Sequence, residues 1–162
     1  MRVSRKMTVG VLVAAAGCAS DGTGPVTEYD GVKYTATVAT IQSGGSLTQF
    51  AVLVTLENMT TATVTRTYPA GCPVLIRLYR VGDGRRMYDE TLRTCTFTDP
   101  TTIQLTSRAT ATLTSGPRLP GTVLGDSLPV ATYIVHAVVQ TEGATFVELA
   151  AGTYLIGTGP GG

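Results

Sequence analysis

The chain has no tryptophan, a single histidine and three cysteines in 162 residues. Those shortages exclude much chemistry. A Ser-His-Asp or Cys-His system needs a base held by a third group, and His136 is the only imidazole. It lies on a predicted strand, Thr132 to Gln140, in phase with Ile134 and Val138, where a structural or partly exposed histidine is the expectation. Carboxylates are sparse and scattered: Asp89-Glu90 is the only adjacent pair, and consecutive strand residues point to opposite faces. Asp83, Asp89, Glu90 and Asp99 form no recognised calcium loop and read as solvated surface. No glycine-rich phosphate loop opens a helix, because no long amphipathic helix is legible. No catalytic residue, metal site, cofactor or small-molecule substrate is assigned. The longest apolar run, Met7 to Gly17, would rise only about 16 Å as a helix, against roughly 30 Å of bilayer hydrocarbon.

What the chain does have is threonine, 29 of them. β-branched residues suit a pleated, half-exposed surface and are mediocre in helices. Strands are predicted at Val32–Ile41, Leu47–Asn58, Thr63–Tyr68, Val74–Arg80, Arg86–Arg93, Thr101–Leu105, Ala109–Ser115, Thr132–Gln140 and Phe146–Gly157, separated by Gly, Pro and Asn. Leu47–Asn58 is the clearest, with Phe50, Val52, Val54 and Leu56 on one face and Gln49, Thr55 and Glu57 on the other. Gly82-Asp83-Gly84 marks a tight turn. Arg85-Arg86 beside it, and Asn58-Met59-Thr60, read as turn residues. A loop runs from Gly116 to Pro129. The expectation is an all-β fold, an immunoglobulin-like antiparallel β-sandwich of eight or nine strands.

The first residues carry Arg2, Arg5 and Lys6 with no acid, followed by the short apolar run and by Ala15-Ala16-Gly17-Cys18. Basic head, apolar middle and small end form the grammar of a secretory signal. The last four residues resemble the bacterial lipobox, in which the cysteine thiol takes diacylglycerol and the chain is cut just before it. An ordinary secretory signal with an incidental Cys18 is the other reading. The resemblance implies an exported protein, lipid-anchored to the membrane of the cell envelope through Cys18. With Ala19 and Ser20 after the cysteine and no Asp next to it, that means the outer membrane where a cell has two. Residues 1–17 are then signal, 18–30 a Gly/Pro-rich flexible tether, 31–157 the β domain and 158–162 a loose end. Without residues 1–17, nine basic groups face eleven acidic ones, which argues against nucleic acid as a partner.

Cys72 and Cys95 remain. In an oxidising compartment they read as a disulfide; two lone thiols or half a metal site are the alternatives. The stretch from about Phe50 to Ile156 resembles the intracellular proteinase inhibitor domain of the BsuPI type, an immunoglobulin-like sandwich. The resemblance rests on Val54 to Thr60, Tyr68-Pro69-Ala70-Gly71-Cys72, Val74 to Tyr79 before the Asp83-Gly84 hairpin, Met87 and Tyr88, and Leu128 to Tyr133. Ala131 stands where that family has Gly. It implies a non-catalytic domain that blocks a protease through exposed loops. The candidates are Tyr68, Pro69, Gly71 and Pro73 in one loop, and Arg118 and Leu119 between Pro117 and Pro120 in the other. The competing expectation is an adhesion or assembly module that binds another envelope protein through loops or a sheet edge.

Overall fold

Alternating burial along Leu47–Asn58 sets the architecture: Phe50, Val52, Val54 and Leu56 are fully buried while Thr55 is exposed. The structure is a computed structural model that describes residues 27–43, 47–68, 72–92, 100–118, 122–123, 126–141 and 146–156. Its strands are β1 (Thr27–Tyr29), β2 (Val32–Ser43), β3 (Leu47–Asn58), β4 (Val64–Tyr68), β5 (Leu75–Arg80), β6 (Arg86–Asp89), β7 (Thr101–Leu105), β8 (Thr110–Thr114), β9 (Thr122–Val123), β10 (Asp126–Ser127), β11 (Ala131–Gln140) and β12 (Phe146–Ile156). The fold is all-β and every pairing is antiparallel.

Two four-stranded sheets carry the core, in the orders β1-β2-β3-β8 and β12-β11-β5-β6. In the first, the register puts Tyr34 beside Leu56 and Ala36 beside Val54, and Val54 in turn beside Leu113. In the second, Val135 lies beside Leu78 and Ala137 beside Ile76. Both inner faces feed one cluster that also takes Tyr68, Tyr88, Leu105, Tyr133 and Leu149. Fully burying one such aliphatic side chain contributes about 1.5–3 kcal/mol. β4 and β7 form a separate pair, as do β9 and β10.

Within β12 the register slips between Val135 and His136 of β11, leaving Ala151 as an extra residue. Gly152 takes the step at φ 127°, where a Cβ would sit 3.3 Å from the Val38 side chain. The bulge restores the phase, so that Leu149 and Val147 point inward and Glu148 outward.

All nine predicted strands are present, and three short ones are added. Thr27–Tyr29, placed in the tether by its polar composition, is a strand because it pairs with Val32–Tyr34 across Asp30-Gly31. Both turn residues have positive φ, 48° and 72°, the geometry that makes Asp-Gly a two-residue hairpin signal. β9, β10 and a bridge between Phe50 and Arg118 fall within the predicted Gly116–Pro129 loop. The strand predicted over Arg86–Arg93 instead stops at Asp89. There the Asp89 carboxylate accepts the Thr91 amide (3.1 Å) and hydroxyl (2.6 Å), and the chain turns into a 3-10 segment, Glu90–Leu92.

Asn58 ends β3 in the same way and does more. Fully buried, it donates through Nδ2 to the carbonyls of Ala62 (2.7 Å), Leu105 (3.0 Å) and Thr106 (3.1 Å), while Oδ1 accepts the Thr60 amide and hydroxyl, each at 2.8 Å. One amide thus ties the end of β3 to the end of β7.

Candidate functional site

Four strands bring a polar network to the outer face of the β12-β11-β5-β6 sheet. Arg77 of β5 is its hub: Nε donates to Asp89 Oδ1 at 3.1 Å, Nη1 pairs closely with Glu148 Oε2, and Nη2 reaches Thr91 Oγ1 at 3.3 Å. The Tyr79 hydroxyl donates to Glu148 Oε1 at 2.9 Å, and His136 Nδ1 lies 2.8 Å from the same oxygen. The Tyr79 and His136 rings tilt together with centroids 4.7 Å apart. Arg86 closes the network on Asp89 Oδ2 at 2.8 Å.

The electrostatics follow from the contacts. Burial penalises the Glu148 and Asp89 carboxylates, yet both are held below the usual carboxylate range. Hydrogen bonds from Tyr79, His136 and Arg77 outweigh burial at Glu148, and those from Thr91 and Arg77 do so at Asp89. For Arg77, burial works against the charge, but the bonds to Asp89 and Glu148 raise its pKa overall. Tyr79 is pushed up, by burial first and by its bond to Glu148 second.

This face is flanked by exposed apolar side chains. Thr132 pairs with Leu155, and the Val81 amide donates to the Thr132 carbonyl at 3.2 Å, so Leu155, Thr132 and Val81 form a row across one end. Leu155 and Val81 are exposed, at 64% and 49%. Phe146, opposite Gln140, is exposed at the other end. Internally paired charges between apolar ends can present a rigid, mixed surface to another molecule. His136 and Glu148 do form a base-and-orienter pair, but among the described residues the His136 ring bonds to Glu148 alone. Among the same residues no group of three or more His, Cys, Asp or Glu is placed to hold a metal. No helix there is long and apolar enough to cross a membrane.

The residues singled out from the sequence fare differently. Cys18, Pro69, Gly71, Cys95 and Leu119 lie outside the described residues. Cys72 and Pro73 are half-buried just before β5. Tyr68, expected on a loop, is instead buried at the end of β4, its hydroxyl 3.4 Å from that of Tyr34. Arg118, also expected to be presented outward, is turned in. Its backbone exchanges hydrogen bonds with Phe50 in both directions (2.9 and 2.7 Å), and Nη2 donates to Glu90 Oε1 at 2.8 Å. Glu90 is not solvated surface either: it is buried at the start of the 3-10 segment, and Oε2 accepts the Ile76 amide at 2.8 Å. A buried carboxylate demands such partners, and they come from residues far away in sequence.

No protein family matches the sequence, and no curated protein does. Among solved structures the chain is similar to a β-glucuronidase of Bacteroides uniformis, with 15% identity and a TM-score of 0.41. The match covers 75% of this chain but 13% of the glucuronidase. A Northeast Structural Genomics Consortium target matches over 82% of this chain and 89% of its own, with 11% identity and a TM-score of 0.34.

Proposed function

We propose that the protein is an exported, lipid-anchored assembly module of the cell envelope, non-catalytic, that holds a protein partner against the outer face of the β12-β11-β5-β6 sheet. One observation carries the choice of this face: the Arg77–Glu148–His136–Tyr79–Asp89 network is held by its own hydrogen bonds and lies between exposed Leu155, Val81 and Phe146. Groups already fixed to each other lose little freedom on binding, and exposed apolar side chains beside them supply surface to bury. Cys18 is the tether and Cys72–Cys95 the bridge that stiffens the approach to β5. The immunoglobulin-like arrangement belongs to the same reading. It is supported by the Tyr133 hydroxyl, which donates to the Pro129 carbonyl at 2.7 Å just ahead of β11, as a tyrosine corner does.

The test is a pull-down from envelope extracts with the Cys18-anchored protein, compared with Leu155→Asp and Val81→Asp. A partner held by the parent chain and lost from both variants is the expected result. Retention of that partner by both variants would remove this face from the proposal.

Protease inhibition is the second reading, favoured by the Gly116–Pro129 loop, whose start is pinned to Phe50 by paired backbone bonds. A segment fixed in advance is what a substrate-like inhibitor presents. Arg118 is committed to Glu90, so the contact would fall on Leu119 and beyond. Assay against a panel of serine proteases separates the two readings, because inhibition would survive the sheet-face substitutions.

A further inference from the structure

We infer that β8 is a self-pairing edge through which two copies of this chain join their β1-β2-β3-β8 sheets into one. The inference is independent of the surface proposed above, since it concerns the other sheet.

The backbone parity of β8 is fixed by two hydrogen bonds to β3: Asn58 N to Ala109 O (3.0 Å) and Ser115 N to Val52 O (3.0 Å). In an antiparallel pair, alternate residues direct both backbone groups at the same neighbour. Ala111 and Leu113 therefore face β3 with both groups, Ala109 with its C=O and Ser115 with its N–H, and Thr110, Thr112 and Thr114 direct their N–H and C=O groups away from it. Among the described residues no strand pairs with β8 on that side.

Native edges are blunted by charge, proline or bulges. The outer strands β1, β6 and β12 carry Glu28, Arg86 with Asp89, and Glu148 respectively. β8 reads Thr-Ala-Thr-Leu-Thr, with no charge, no proline and no register break against β3. Of the four outer strands of the two four-stranded sheets, it alone carries no charge.

The occupant is a second copy because this edge is complementary to itself. An antiparallel pairing about a two-fold axis at Thr112 sets Thr112 against Thr112 and Thr110 against Thr114. Each of the three threonines then meets a residue whose backbone groups also point outward, so all three N–H and all three C=O groups of each copy are used. Shifting the axis to Ala111 or Leu113 leaves some of them unpaired. On the outer face threonine meets threonine, a favourable cross-strand pair. On the core side Leu113 meets Ala111, large against small, and no like charges oppose each other.

The experiment is residue-resolved amide exchange with sedimentation, on the full chain, from micromolar to millimolar concentration. The Thr110, Thr112 and Thr114 amides should slow at least about ten-fold as dimer forms, while Ala111 and Leu113, already bonded to β3, should not change. Thr112→Pro removes only outward-facing N–H groups, so it should restore fast exchange and a monomer without lowering the melting temperature. If that variant fails to fold, Thr112→Lys places two charges at the axis and should have the same effect. Exchange that is fast at every concentration would overturn the inference. So would exchange that is slow at every concentration, which means the chain covers its own edge, and so would a dimer that survives both substitutions.

Discussion

Glu90 and Arg118 show how much one residue pair can commit a fold. Both side chains are largely shielded from water, and each supplies the other with an opposite charge at 2.8 Å. Removing one partner from such a pair leaves a buried charge with nothing to answer it, a cost of about 3 kcal/mol. Arg118→Ala should therefore lower stability in urea by about that amount, and adding Glu90→Gln should recover part of it. A double variant no better than the single would mean that the pair is not what the arginine contributes. Glu148 gives a prediction in pH. Its folded pKa lies below the unfolded value of about 4.3, so its contribution is complete above that pH. The contribution is lost as pH falls through the lower folded value, because the unfolded chain takes up the proton first. Glu148→Gln should flatten the fall of melting temperature below pH 5, with Asp89 accounting for part of what is left. An unchanged slope would contradict the assignment.

Among the elements, Asn58 is the most exacting. It serves five hydrogen bonds from one buried amide, and Asn58→Ala would take that partner from the Leu105 and Thr106 carbonyls and the Thr60 amide, while the Thr60 hydroxyl and the Ala62 carbonyl keep each other. We expect a loss of about 3 kcal/mol by chemical denaturation, with amide protection falling first at the ends of β3 and β7. The strands themselves were legible because their apolar residues alternate, and Leu47–Asn58 was read to its last residue. The tail of the predicted Arg86–Arg93 strand misread because Asp89 bends the chain through its own side chain, a local hydrogen bond that hydropathy does not register. β1 escaped for the opposite reason: Thr-Glu-Tyr has no apolar rhythm, although Asp30-Gly31 was a usable hairpin signal. The candidate site was not legible at all. Its members come from β5, β6, β11 and β12, and only the register places Arg77 beside Glu148, 71 residues away.

At the scale of the whole molecule, two sheets share one apolar core, and the larger charge network lies on the outer face of one while the outer face of the other holds threonines and the Lys33–Glu57 pair. In the proposed reading, the first residues and the cysteines decide where such a domain would work. Intact mass of the protein from membranes should match a chain beginning at a lipidated Cys18, and a mass retaining residues 1–17 would refute the anchor. Closing the Cys72–Cys95 loop would stabilise the fold by roughly 3 kcal/mol, so Cys72→Ser should lower the denaturation midpoint by a comparable margin under oxidising conditions only. The difference should vanish in reductant.

The inward turn of Arg118 also dictates how the chain would be dismantled. An enzyme that cuts after arginine is offered Arg85, Arg86 and Arg108, all exposed. Arg118 is withheld by Phe50 and Glu90. Brief trypsin digestion should therefore nick the β5–β6 hairpin and the turn before β8, and the bond after Arg118 should yield only when the two layers part. The arginine best placed in the sequence to serve as bait is the one the folded chain keeps out of reach.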